Sequence, residues 1–261
     1  MWGRKISKYL VLAVLLVVMQ MGCTTVPYTG RRQLSLVSEG QEVSMGYQAF
    51  RQIQRRYPVS HDPELNARVQ RVGQRIAAAA NRPDYRWEFV VFREDKIANA
   101  FCLPGGKVGI FTGLFKYIKS DADLATVISH EAAHVLARHA GERYSQGMLA
   151  ELGGVGLSGA LRGMNPYAGQ AIMTGYQLGA TVGFLLPYSR AQETEADRIG
   201  LILMAKAGYD PALALEFWQR WSGEKKEKGS ANDIFSTHPS DAKRLLALKQ
   251  YLPEAKRYYQ P

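Results

Sequence analysis

The run His130-Glu131-Ala132-Ala133-His134 constrains this chain most, because two histidines four residues apart share a face only when the backbone is helical. The flanking residues supply that helix. Ser120 followed by Asp123 is an N-terminal capping pattern, and Leu124, Ile128, Ala132 and Leu136 recur at the helical period. The spacing predicts a helix from about Asp121 to Arg143 whose apolar stripe turns the motif toward the core. Two imidazoles without a ligand would be costly there. The pattern therefore calls for one divalent cation shared by His130 and His134, with Glu131 beside the remaining coordination position.

A catalytic zinc site needs a third protein ligand and keeps a fourth position open. Alanines at 137 and 140 stand where the metzincin pattern requires glycine and histidine, which excludes that class. His139, nine residues after His130, falls on the opposite side of one continuous helix and reads as a solvated or capping residue. Further along, Ser189 to Asp197 opens a second helix rich in carboxylates. Glu193 and Asp197 share a face of it, whereas Glu195 points away. One of the pair can bind metal while the other accepts the second N–H of a metal-bound histidine, fixing its ring and tautomer. An intact Glu131 argues against a purely structural ion, which has no use for a base.

The rest of the chain reads as one globular domain of α+β class, mostly helical, with a small sheet beside the histidine helix. Helical spacing runs from Glu39 to Tyr57 and again from Pro63, where Leu65, Val69, Val72 and Ile76 form one apolar face. Trp87 to Phe92 and Lys107 to Phe111 read as strands, with Gly105-Gly106 as a turn signal. Between Tyr144 and Pro187 lie ten glycines and only two charges, Glu151 and Arg162. Gln170, Thr174, Gln177 and Thr181 interrupt this segment, which favours a buried or surface-seeking helical pair over a transmembrane helix. Helical spacing returns over Arg190 to Ala207, Pro211 to Trp221 and Asp241 to Leu252.

At the N-terminus, Arg4, Lys5 and Lys8 precede an apolar run from Tyr9 to Met19 that ends at Gly22-Cys23, the layout of a secretory signal. It resembles a bacterial lipoprotein signal, which implies a signal peptide over 1–22, lipidation of Cys23 and a linker over 23–38 before the domain at 39–261. Thr24 resembles the outer-membrane sorting pattern. If a thioether consumes Cys23, Cys102 is left without a partner for an intrachain disulfide. The formal charge of +10 becomes +7 for the mature chain, 30 basic against 23 acidic residues, a balance suited to anionic headgroups. No aromatic-interleaved basic patch argues for nucleic acid.

Five segments together resemble the membrane-associated gluzincin zinc metallopeptidases, the family of bacterial HtpX, BepA, LoiP and YcaL and of the mitochondrial Oma-type protease. They are Thr29 to Leu34, Asn99 to Gly106, the histidine motif, Ser189 to Gly200, and Thr237-His238-Pro239 with Arg244. The resemblance implies a zincin-like metallopeptidase domain with one Zn2+ per subunit, held by His130, His134 and Glu193. It implies Asp197 as the aspartate behind the ligands, His238 as a histidine that stabilises the transition state or caps the resting zinc, and Arg244 as an orienting group or a structural ion pair. Asn99, Ala100, Phe101, Pro104 and Gly105 match the edge against which substrate lies. Cys102 stands where alanine is common and reads as core packing. The expected activity is hydrolysis of misfolded or stalled envelope proteins on the periplasmic side, in possible association with envelope assembly machinery. An assembly factor or chaperone with suppressed proteolysis is the alternative.

Overall fold

The structure, a computed structural model, describes residues 23–179, 186–228, 238 and 242–260. The expected signal peptide over 1–22, together with Thr237 and Pro239, lies outside the described residues. Helices begin where the sequence supplies a side chain to close the first turn. Helix α1 (Glu39–Arg56) starts on a capping box of Ser38 and Gln41. Helix α2 (Pro63–Ala80) starts on Asp62, which accepts from the backbone N–H groups of Glu64 and Leu65. Helix α3 (Asp121–Leu136) starts on the Ser120–Asp123 box anticipated from the sequence. Such caps are each worth about 1 kcal/mol.

Three strands form the main sheet in the order β3–β5–β4: β3 (Glu88–Phe92), β4 (Ala100–Leu103) and β5 (Lys107–Phe111). β3 runs parallel to β5, and β4 runs antiparallel to it with Phe101 opposite Gly109. The turn from β4 to β5 uses Gly105 and Gly106 at φ of 88° and 81°, where any other residue would be strained. The stretch 23–38, expected as a linker, contains a two-stranded hairpin of β1 (Cys23–Thr25) and β2 (Arg32–Leu34). Val26 between them is 1% exposed. Gln33 donates to the carbonyl of Ala137 at 2.7 Å and so closes the end of α3.

Helix α3 lies at the centre. Every residue from Ala122 to Leu136 is buried, so this helix has no solvent face at all. Its polar members find partners inside: Thr126 donates to Ala122 O and Ser129 to Thr126 O. Helix α6 (Leu186–Lys206) packs along it, with α7 (Ala212–Lys228) and α8 (Ala242–Lys256) beyond. At Gly200 of α6 an added Cβ would sit 3.2 Å from the backbone of His130, so glycine lets the two helices approach at the histidine motif.

One expectation is corrected. The single helix from Asp121 to Arg143 is two helices, because Arg138 adopts a left-handed conformation (φ 55°) and α4 (His139–Ala160) starts afresh from it. A non-glycine residue in that region costs of order 1 kcal/mol. Here the cost is offset by the Arg138 guanidinium, which pairs with buried Glu42 and donates to Ser35 Oγ and Val37 O. Helix α5 (Pro166–Gly179) folds back on α4 as the expected helical pair, with Tyr176 donating to Ala150 O at 2.7 Å. No helix among the described residues is long and apolar enough to cross a membrane.

Candidate metal centre

The helical rise of α3 brings His130 Nε2 and His134 Nε2 to 3.2 Å from one another. Helix α6 crosses so that Glu193 lies 3.3 Å from both, through Oε2 to His130 and Oε1 to His134. His238, from beyond α7, sets its Nδ1 3.3 Å from His130 Nε2 and 3.0 Å from Glu193 Oε1. Ligand atoms bound at about 2.0–2.1 Å around a tetrahedral ion stand roughly 3.3 Å apart. The separations among His130, His134 and Glu193 are close to that spacing, and these three with His238 form a cluster able to hold a metal ion, one ligand atom from each lying within 4.8 Å of the others. Glu131 lies against the other nitrogen of the His238 ring: its Oε1 is 3.3 Å from His238 Nε2 and is buried without a hydrogen-bond partner among the described residues.

Behind the cluster, Asp197 Oδ1 lies 3.0 Å from His130 Nδ1, although the alignment falls short of an ordinary hydrogen bond. Arg244 grips both oxygens of Asp197, donating from Nε at 2.8 Å and from Nη2 at 2.7 Å. It also donates to the carbonyl of His238 and lies against the ring of Trp218. The orienting and ion-pair readings of Arg244 thus describe one contact set.

The electrostatics call for positive charge at the centre. Burial opposes the charged form of His130, but Asp197 and Glu193 outweigh it and push its pKa up to about 9. Burial drives His134 the other way, well below its ordinary value. Burial also works against Glu193, yet hydrogen bonds from three imidazoles hold its carboxyl far below the usual range. A proton on His130 thus occupies the electrostatic role that a bound cation would take over.

The structure corrects the reading of His139. Because the chain turns at Arg138, His139 is fully buried rather than solvated. Its Nδ1 is 2.8 Å from His134 Nδ1 and its Nε2 is 3.0 Å from Glu195 Oε2. Glu195 does point away from the face shared by Glu193 and Asp197, but into this second network. His139 and Glu195 are the site residues that sequence spacing missed. Only knowledge of the helix break would have revealed them.

The residues expected as a substrate edge include β4, an outer strand of the three-stranded sheet. Phe111 N–H donates to Asn99 O, and antiparallel alternation then turns the backbone groups of Ala100 and Cys102 outward. Asn99 Oδ1 accepts from the Ala100 N–H. Phe101 joins a cluster with Phe50, Phe92 and Phe111, and Pro104 packs against Gly46 of α1. Burial pushes the Cys102 thiol well above its ordinary pKa, in keeping with packing. A cavity of about 230 Å³ opens at the end of this strand, lined by Val37, Met45, Ala49, Leu103, Pro104 and Tyr144.

The chain is similar to known proteins over most of its length. The family model of Peptidase family M48 matches residues 63–252. The chain is 37% identical over 238 residues to the mitochondrial metalloendopeptidase OMA1 of Schizosaccharomyces pombe, covering 88% of this chain and 66% of that protein. It is 39% identical over 186 residues to the OMA1 of Arabidopsis thaliana, covering 70% and 36%. With the beta-barrel assembly-enhancing protease of Escherichia coli it shares 33% identity over 224 residues, covering 85% and 46%. This chain thus spans about a third to two thirds of the length of these relatives. The matched stretch contains both histidines of the motif, the carboxylates of α6, His238 and Arg244, and the chain belongs to Peptidase family M48.

Proposed function

We propose that the chain is a zinc-dependent metalloendopeptidase. The observation that carries this reading is the cluster of His130, His134, Glu193 and His238 with an unsatisfied Glu131 oxygen 3.3 Å from the His238 ring. In it, His130, His134 and Glu193 hold the zinc, and two nitrogens with one carboxylate suit that ion. Bound zinc supplies Lewis acidity that acidifies water and polarises a peptide carbonyl. Glu131 accepts the proton of the attacking water as its oxygen bonds to the carbonyl carbon. It then delivers that proton to the amine nitrogen as the C–N bond breaks. The outward backbone groups of Cys102 and the outward carbonyl of Ala100 pair with an extended substrate, and the apolar cavity beside Leu103 and Pro104 takes one of its side chains.

Main-chain pairing selects extended rather than folded polypeptide, which favours misfolded or stalled proteins as substrates. The bacterial lipoprotein-like signal and the name of the beta-barrel assembly-enhancing protease support action on cell-envelope proteins near envelope assembly machinery. Cys23 is exposed at the start of β1, where a lipid would anchor the chain to a membrane, the outer membrane by the Thr24 pattern. In this reading Glu131→Gln, with zinc content matched to wild type, lowers casein cleavage about 10²–10⁴-fold. Equal cleavage by both proteins rejects the mechanism.

A second reading, an assembly factor with suppressed proteolysis, is favoured by His238 as the fourth member of the cluster, its Nδ1 3.3 Å from His130 and 3.0 Å from Glu193, where solvent would otherwise enter. Cleavage assays of His238→Ala separate the two. A gain marks His238 as a cap on the resting site, and a loss marks it as a group that acts on the transition state.

A further inference from the structure

The two histidines of the motif are held from behind by different devices. His130 has a carboxylate beside its Nδ1, whereas His134 has another imidazole: His139 Nδ1 at 2.8 Å. A contact that short between two ring nitrogens needs one proton, shared as donor and acceptor. The far side of His139 settles which ring gives it. Its Nε2 faces Glu195 Oε2 at 3.0 Å, and an ionised carboxylate only accepts, so Nε2 carries the proton of a neutral ring. His139 Nδ1 is then the acceptor, His134 Nδ1 the donor, and His134 Nε2 presents its lone pair to Glu193 and His130.

Glu195 is itself fixed by residues that precede the stretch matched by the family model. Thr29 Oγ1 donates to its Oε1 at 2.5 Å and Arg31 Nε to its Oε2 at 2.8 Å. Arg31 also forks onto both oxygens of Glu142 at 2.7 and 2.8 Å, and Gln192 donates to Glu142 at 2.7 Å. Glu142, Gln192 and His139 are no more than 1% exposed.

We propose that Glu195 and His139 are a positioning pair that sets the tautomer and ring orientation of His134, with Thr29 and Arg31 of the N-terminal hairpin holding Glu195 in place. The hairpin that starts at Cys23 is thereby coupled to the metal centre through three side-chain links. This inference rests on the reading of His130, His134 and Glu193 as zinc ligands.

The test uses the full chain with zinc alone as the probe, in two measurements. Chelator competition compares wild type, His139→Phe, which fills the space without an acceptor, and His139→Asn, whose Oδ1 stands near the lost Nδ1. The expected result is zinc binding weakened about 10–100-fold in His139→Phe and restored to within a few-fold in His139→Asn. Equal affinity in all three overturns the proposal while leaving the ligand assignment intact, whereas no zinc binding by wild type sinks the ligand assignment itself. Nitrogen-15 NMR of the wild-type histidines decides the matter even where a variant fails to fold. A proton on His134 Nδ1 and on His139 Nε2 supports the relay, and a proton on His134 Nε2 overturns it.

Discussion

Around α3 the chain buries charged side chains and matches all but the Glu131 oxygen with partners, as in Arg244 on Asp197 and Arg31 on Glu142 and Glu195. On α5 and the part of α4 beyond Gln146 it does the reverse, leaving Leu152, Val155 and Tyr167 at 63%, 65% and 87% exposure. The first region resists change because moving one group leaves another charged and unpaired in a dry interior. The second has little buried surface to lose, so it opens locally at low cost. A peptidase needs both properties. The atoms that meet the scissile bond must be fixed to a fraction of an ångström, while the surface around them tolerates movement.

The contrast predicts a graded series of stability effects. Asp197→Ala leaves the Arg244 guanidinium buried without its bidentate partner. It is expected to cost about 3–5 kcal/mol, read from urea unfolding of the metal-free protein. Ile128→Ala opens a cavity in the fully buried helix and is expected to cost about 2–5 kcal/mol in the same assay. A cost below half a kilocalorie for either would place α3 outside the rigid core.

A smaller effect comes from the start of α3, where Asp121 meets Arg68 and Arg71. Burial raises its pKa, but the two guanidinium groups outweigh this and hold it below the ordinary 3.8. Its contribution is therefore complete above that pH and fades as pH falls through the lower folded value. Asp121→Asn is expected to cost about 0.5–1 kcal/mol at neutral pH. The gap from wild type should close in strong acid, and a gap that persists there rules out the ion pair as its cause.

The smallest effect belongs to the exposed part of the α4–α5 pair. Leu152→Ser and Val155→Ser are expected to shift global stability by no more than about 0.5 kcal/mol. Hydrogen exchange should show amides of α5 and of α4 beyond Gln146 opening well before those of α3. Protection as high as that of α3 would mean that the exposed apolar face is covered in solution, and the comparison would fail.

Much of this was legible in the residues. Capping by Ser120 and Asp123, the helical spacing through Leu136 and the shared face of Glu193 and Asp197 are local, short-range patterns, and the structure places them as expected. What stayed hidden depended on tertiary partners. Nothing local in Ala137-Arg138 announces a break, because the left-handed residue is supported by Glu42, Ser35 and Val37, about a hundred positions away. Without that break the spacing puts His139 on the wrong side of the helix and leaves Glu195 without a visible partner. Likewise the hairpin over 23–34 has strands of three residues, too short for periodicity to reveal, and it is held instead by contacts to α3, α4 and α6.

X-ray absorption of the zinc-loaded protein, alongside Glu193→Gln at equal loading, tests the central claim most directly. The account predicts nitrogen and oxygen neighbours at about 2.0–2.2 Å in wild type, including histidine outer-shell scattering from His130 and His134. It further predicts a changed first shell and weaker retention of zinc in the variant. An identical spectrum and equal retention in both would show that Glu193 does not touch the ion, and would contradict the site as assigned.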